Sequence, residues 1–161
     1  MPEDVRWLDD AELRAWQALL NTTYGLLAVL DRELQQEHDL TLAEYEVMVI
    51  LSEAPEGGVR MSDLALALHL SPSGTTRRVD GMVRRGFVCR RQCPEDRRGS
   101  YARLTDEGWK RLREAAPTHV AGVRRHFVDR LSERQLVNLT AALGEAEFEP
   151  GGSPGCDEAR G

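Results

Sequence analysis

Cysteine is scarce in this 161-residue chain: Cys89, Cys93 and Cys156 are too few, and odd in number, for a disulfide framework. No apolar run approaches the length needed to cross a bilayer, and the acidic start from Met1 to Trp7 lacks the apolar core of a secretion signal. Both absences point to a cytoplasmic protein with no membrane partner. No Gly-rich phosphate loop, nucleophile–base pair or cluster of metal-ligand residues is visible, so the chain does not read as an enzyme and calls for no cofactor or metal. The four histidines (His38, His69, His119 and His126) are scattered; the last two are seven residues apart, two helical turns, too far for a local chelate. Lysine is nearly absent too: Lys110 stands alone among 21 basic residues, the rest being arginine, whose planar fork suits bidentate contacts to phosphate or guanine.

Charge is unevenly placed. The chain carries a net −6, which on its face argues against a polyanionic partner. Between Val59 and Arg113, however, 13 Lys/Arg face 6 Asp/Glu, a local net of +7, and the remainder carries −13. An acidic body with a basic middle is an electrostatic footprint aimed at a polyanion.

Hydrophobic spacing sets the element order. Leu13, Trp16, Leu20, Thr23, Leu27, Leu30 and Leu34 recur every three or four residues over 10–37, a heptad stripe on a long amphipathic helix. Asp39 to Thr41 breaks it, and Thr41 with Glu44 forms a capping box for a helix through Tyr45, Met48 and Leu51. Ser62 is expected to cap a short third helix with Leu64, Ala65 and Leu68 inward. Ser71 and Pro72 start a fourth, serine as N-cap and proline at the first position, running to a stop at Gly86 with Thr75, Val79, Met82 and Val83 inward. Residues 87–92 and 100–104 read as the two strands of a hairpin. A long helix follows from Thr105 to about Arg130, with Trp109, Leu112, Ala116, Val120, Val123 and Phe127 on its apolar side and a kink expected at Pro117. Ser132 with Gln135 caps a last helix carrying Leu136, Leu139 and Leu143. Helix, helix, hairpin at this spacing is a winged helix-turn-helix, so the fold class is mainly α, of the α+β winged-helix kind.

The chemistry concentrates on the fourth helix and the hairpin. Ser71, Ser73, Thr75 and Thr76 offer hydroxyls and backbone N–H groups to phosphates or base edges, and Arg77 and Arg84 extend the same face. On the hairpin, Arg98 suits insertion into a narrow minor groove, with Arg90 and Arg97 on flanking phosphates. Asp96 would be repelled by DNA, so its expected task is to orient Arg98 through a bidentate pair.

Those residues carry a resemblance. Asp96, Arg98, Leu104, Thr105 and Gly108 form an Asp-x-Arg, five residues, Leu-Thr-x-x-Gly pattern, and Thr76-Arg77, Val79-Asp80 and Arg85-Gly86 fall in step with it. The combination resembles the multiple-antibiotic-resistance-regulator (MarR) family of winged-helix transcriptional regulators. The resemblance implies a homodimer with interlocked first and last helices, binding double-stranded DNA at a palindromic operator as a repressor, and often released by a small-molecule effector. It assigns residues 1–37 to an N-terminal dimerisation arm, 38–104 to the DNA-binding core and 105–148 to C-terminal dimerisation helices. Residues 149–161, rich in Gly, Pro and charge, read as a disordered tail. The ligand pocket implied between arm and core would be lined by Trp16, Tyr24, Tyr45 and Trp109. Two alternatives stay open: a winged helix used for protein–protein contact, and a redox-responsive regulator using Cys89 and Cys93 on the hairpin.

Overall fold

A computed structural model of the chain describes residues 5–54, 58–92 and 100–146. Six α-helices and a three-stranded antiparallel sheet follow in the order α1 (Asp10–His38), α2 (Leu42–Ser52), β1 (Val59–Arg60), α3 (Met61–Ala67), α4 (Pro72–Arg84), β2 (Val88–Gln92), β3 (Ser100–Leu104), α5 (Asp106–His126) and α6 (Glu133–Gly144). This is the mainly helical winged-helix architecture expected from the sequence.

Helix boundaries follow local capping chemistry. Asp9 caps α1 in a box with Glu12, and the helix stops where Asp39 turns left-handed at φ 48°. Thr41 with Glu44 and Ser132 with Gln135 form the two expected boxes for α2 and α6. Ser71 accepts from the Gly74 N–H at 3.1 Å, with Pro72 in the first turn of α4. Ser62 does not cap α3: Arg60 holds the N-cap position and its side chain does not cap the helix, and the Ser62 hydroxyl donates to Asp63. The sheet gains a strand that the pattern did not predict. β1 pairs with β3 through Val59–Ala102 and Arg60–Tyr101, giving the order β1-β3-β2. Two residues are too few to show an alternation.

The core lies where α2, α3, α4 and the sheet meet the C-terminal part of α1 and the N-terminal part of α5. Leu34, Leu40, Met48, Leu64, Val79 and Met82 are fully buried there. Of the heptad stripe on α1, only Leu30 and Leu34 are buried; Leu13, Trp16 and Leu27 remain exposed. No residue of α6 is buried. Val83, expected inward, faces solvent, because α4 already fills the core with Thr75, Val79 and Met82.

α5 departs most from its predicted face. It runs without a break through Pro117 to His126, then gives way to a 3-10 turn at Val128–Arg130. Its buried positions are Gly108, Leu112, Ala115 and Gly122, about one residue round from the predicted stripe, while Trp109 and Val120 lie outside. Close packing explains the rotation. A Cβ on Gly122 would sit 2.8 Å from Leu30 Cδ2 and 2.6 Å from Glu33 Oε2, so α1 and α5 meet at a glycine. Polar contacts continue the seam. His126 Nε2 donates to Glu33 Oε1 at 2.8 Å, and His38 Nε2 donates to Thr118 Oγ1 at 2.8 Å, which in turn donates to Glu37.

Candidate nucleic-acid interface

The exposed face of α4 is set by what its other face buries. Thr75, Val79 and Met82 seat the helix on the core, which turns Ser73, Thr76, Arg77 and Arg84 to solvent. Thr75 therefore leaves the expected contact set. It is fully buried, and its hydroxyl donates to the Ser71 carbonyl at 3.2 Å, one turn back, so it satisfies the core rather than a phosphate. Ser71 remains exposed with its hydroxyl 3.2 Å from that of Ser73. The positive helix end thus points out beside two hydroxyls, a setting that favours an anion. The turn ahead of α4 is held by Leu70 N–H on the Ala65 carbonyl at 3.0 Å, with His69 left-handed at φ 51°.

The base of the hairpin is tied to this helix. Arg90 on β2 pairs with Asp80 Oδ1 at 3.1 Å and donates to the Thr76 carbonyl at 3.2 Å. Its guanidinium bridges strand and helix and is not presented as the expected phosphate contact. Arg91 and Arg103 project into solvent. Asp96, Arg97 and Arg98, and with them Cys93, lie outside the described residues. Cys89 is a free, half-buried thiol on β2 opposite Arg103.

Comparison with known proteins gives this geometry its context. The family model described as "MarR family" matches residues 40–100, from just before α2 to the first residue of β3. AbsC from Streptomyces coelicolor, a MarR family transcriptional regulator, superimposes with a TM-score of 0.83 at 42% identity, over 88% of this chain and 95% of that one. The chain belongs to the MarR family. Sco3205 from the same organism, a MarR regulator solved in complex with DNA, matches with a TM-score of 0.85 at 34% identity, covering 89% of this chain and 90% of that one. Among curated relatives, the HTH-type transcriptional regulator YkoM of Bacillus subtilis is 32% identical over 92 residues, 57% of this chain and 58% of its own length. The chain therefore spans little more than half of that relative. The family is one of transcriptional regulators, not enzymes.

Other residues of the MarR pattern join elements. Arg85 faces away from α4's exposed side. It pairs with Glu44 Oε1 at 2.9 Å and Asp39 Oδ2 at 3.0 Å, donates to the Asp39 carbonyl, and lies over the Phe87 ring at 4.8 Å. It thereby clamps α4's end to the α1–α2 junction. Thr105 donates from Oγ1 to the Gly86 carbonyl at 2.6 Å and accepts from Gly108 N–H at 3.0 Å, while its own N–H donates to the Phe87 carbonyl at 3.1 Å. Gly108 is required because a Cβ there would lie 2.1 Å from the Phe87 carbonyl oxygen. The Leu-Thr-x-x-Gly signature is thus a weld between the end of α4, the wing and α5.

A cleft of about 420 Å³ opens between α1, α2, the α3–α4 turn and α5. Of the four aromatic residues expected to line such a pocket, only Tyr45 does so. Trp16 and Tyr24 lie 51% and 67% exposed on α1, and Trp109 is on the outer side of α5. The spacing of aromatics missed Glu46, His69 and His119, which also line the cleft. The His119 ring packs against Tyr45 with centroids 4.5 Å apart, and its Nδ1 is buried without a partner. Burial lowers the His119 imidazole below its ordinary value and raises the Tyr45 hydroxyl above its own, so each favours its neutral form. Among the described residues, no group of three or more His, Cys, Asp or Glu could hold a metal, and no helix is long and apolar enough to cross a membrane.

Proposed function

We propose that the protein is a cytoplasmic homodimeric repressor that binds a palindromic operator in double-stranded DNA. In this reading α4 enters the major groove and the wing reaches the adjacent minor groove with Arg98, oriented by Asp96, while Arg97 meets flanking phosphates. The observation that carries it is the face of α4: Ser71, Ser73, Thr76, Arg77 and Arg84 exposed together at a helix whose opposite side is fully seated. The DNA complex of the related Sco3205 supports the partner class.

Dimerisation is supported by apolar surface that a single copy leaves open. A groove of about 560 Å³ between α1 and α6, lined by Leu19, Leu26, Phe127, Leu131, Leu139 and Leu143, is overwhelmingly apolar. A second copy's helices would fill it and cover the outer part of α1, placing two α4 helices one DNA turn apart. Release by a small effector fits the cleft described above. One wall is the α3–α4 turn through Leu68 and His69, so an occupant presses on the segment that sets α4's angle.

Gel-shift titration of Thr76→Ala and Arg77→Ala against operator and scrambled duplexes tests the reading. Loss of a bidentate base contact should weaken operator binding by about 1–3 kcal/mol with a much smaller effect on scrambled DNA. Equal losses on both duplexes would restrict these residues to phosphate contact, and unchanged binding would remove α4 from the interface.

A further inference from the structure

The cleft between α1, α2, the α3–α4 turn and α5 has a charge pattern that restricts what it can hold. Among the described residues lining it, Glu46 carries the one full charge; the other polar groups are Tyr45, His69 and His119, set among aliphatic side chains. No arginine or lysine among the described residues lines it. Three arginines are engaged elsewhere: Arg85 with Asp39 and Glu44, Arg111 with the His38 carbonyl, and Arg125 with Glu33. Burial disfavours a cationic His119 and an anionic Tyr45, so neither supplies a counter-charge at neutral pH.

We propose that the cleft selects ligands with an apolar body and a cationic or hydrogen-bond-donating head, and rejects carboxylates of the same shape. This rests on reading the cleft as an effector site. An anionic head would leave water for a cavity that offers no cation and would face the Glu46 carboxylate, two unfavourable terms. An ammonium head would instead pair with Glu46 at the mouth while its body covers Leu27 and Leu68. Contact with Leu68 and His69 would carry the ligand's presence to the turn ahead of α4.

Calorimetric titration of the full chain at pH 8, above the imidazole range, tests this with three probes that share one naphthyl body: naphthalenemethanol, naphthalenemethylamine and naphthaleneacetate. The alcohol should bind, and the amine should bind about ten-fold tighter than the carboxylate. In Glu46→Gln, that ratio should collapse to within about three-fold while binding of the alcohol persists. A carboxylate that binds as tightly as the amine, or a ratio unchanged in Glu46→Gln, overturns the charge selection and leaves the effector cleft standing. Failure of all three probes to bind overturns the effector cleft and the selectivity together.

Discussion

Gly108→Ala should destabilise the protein even though the same change in a helix ordinarily does the reverse. Gly108 sits in the first turn of α5, where exchanging glycine for alanine would by propensity alone gain up to about 1 kcal/mol. The added methyl, however, would lie 2.1 Å from the Phe87 carbonyl oxygen and 3.0 Å from its carbon. That oxygen is backbone, and it accepts from Thr105 N–H at 3.1 Å, so no side-chain rotation can clear it. Reaching ordinary contact requires the start of α5 to move off the wing by about 1 Å. Overpacking of this kind costs roughly 1–3 kcal/mol, and a weakened Thr105–Phe87 bond adds about 1 kcal/mol. The net is a loss of about 1–3 kcal/mol, or roughly 3–10 °C in Tm for a chain of this size. Gly81→Ala in α4 is the matched control. Its Cβ would meet only Arg84 Nη2 at 3.8 Å, so the propensity gain should survive as a small rise in stability. Both variants are melted beside wild type at one fixed protomer concentration, because dimerisation would make Tm concentration-dependent. A Gly108→Ala variant as stable as wild type would refute the weld between Phe87 and α5.

Two further outcomes follow from the same geometry. Arg85→Ala should cost about 1–3 kcal/mol in urea denaturation, since it removes the cationic partner of the largely buried Glu44 carboxylate and frees α4's end; a loss below about 0.5 kcal/mol would mean the clamp is only surface charge. His119 should shape the acid limb of stability. Its folded value lies below the ordinary 6.5, so the unfolded chain binds the proton first, and stability present above pH 6.5 declines as pH falls through that value. A His119→Gln variant should show a shallower fall in Tm between about pH 7 and pH 5; an identical slope would show that His119 does not contribute.

Where the sequence was legible, the signal was local. Capping at Thr41–Glu44, Ser71–Pro72 and Ser132–Gln135 depends on residues three apart, so the pattern and the geometry coincide. Thr75 was read both as inward and as a contact residue, and only the inward reading holds: one hydrogen bond to the Ser71 carbonyl makes a polar side chain acceptable in the core. The face of α5 was misread for a different reason. Apolar periodicity finds the side with large residues, whereas α1 approaches α5 on the side with small ones, at Gly122 and between His126 and Glu33. Trp109 and Val120 are then left outside. The aromatic lining of the cleft failed likewise, since Trp16, Tyr24 and Trp109 belong to elements that reach the cleft with other residues.

Charge was the subtler case, because a count of basic residues does not separate field from contact. The segment from Val59 to Arg113 keeps its net +7 whatever its arginines touch, and that field steers a polyanion from a distance. Directional contact is another matter. Arg85, Arg90 and Arg111 are bound to Glu44, Asp80 and the His38 carbonyl, so each has donors engaged within the protein. Each released counterion requires a phosphate actually neutralised, so the slope of log affinity against log salt counts contacts rather than charges. With 13 basic residues in the segment, a slope set by composition would approach about −12, at roughly −0.9 per phosphate. The engaged arginines place the expected slope well short of that. The association rate should retain the salt sensitivity of the whole field, so rate and equilibrium measurements should part company in this protein.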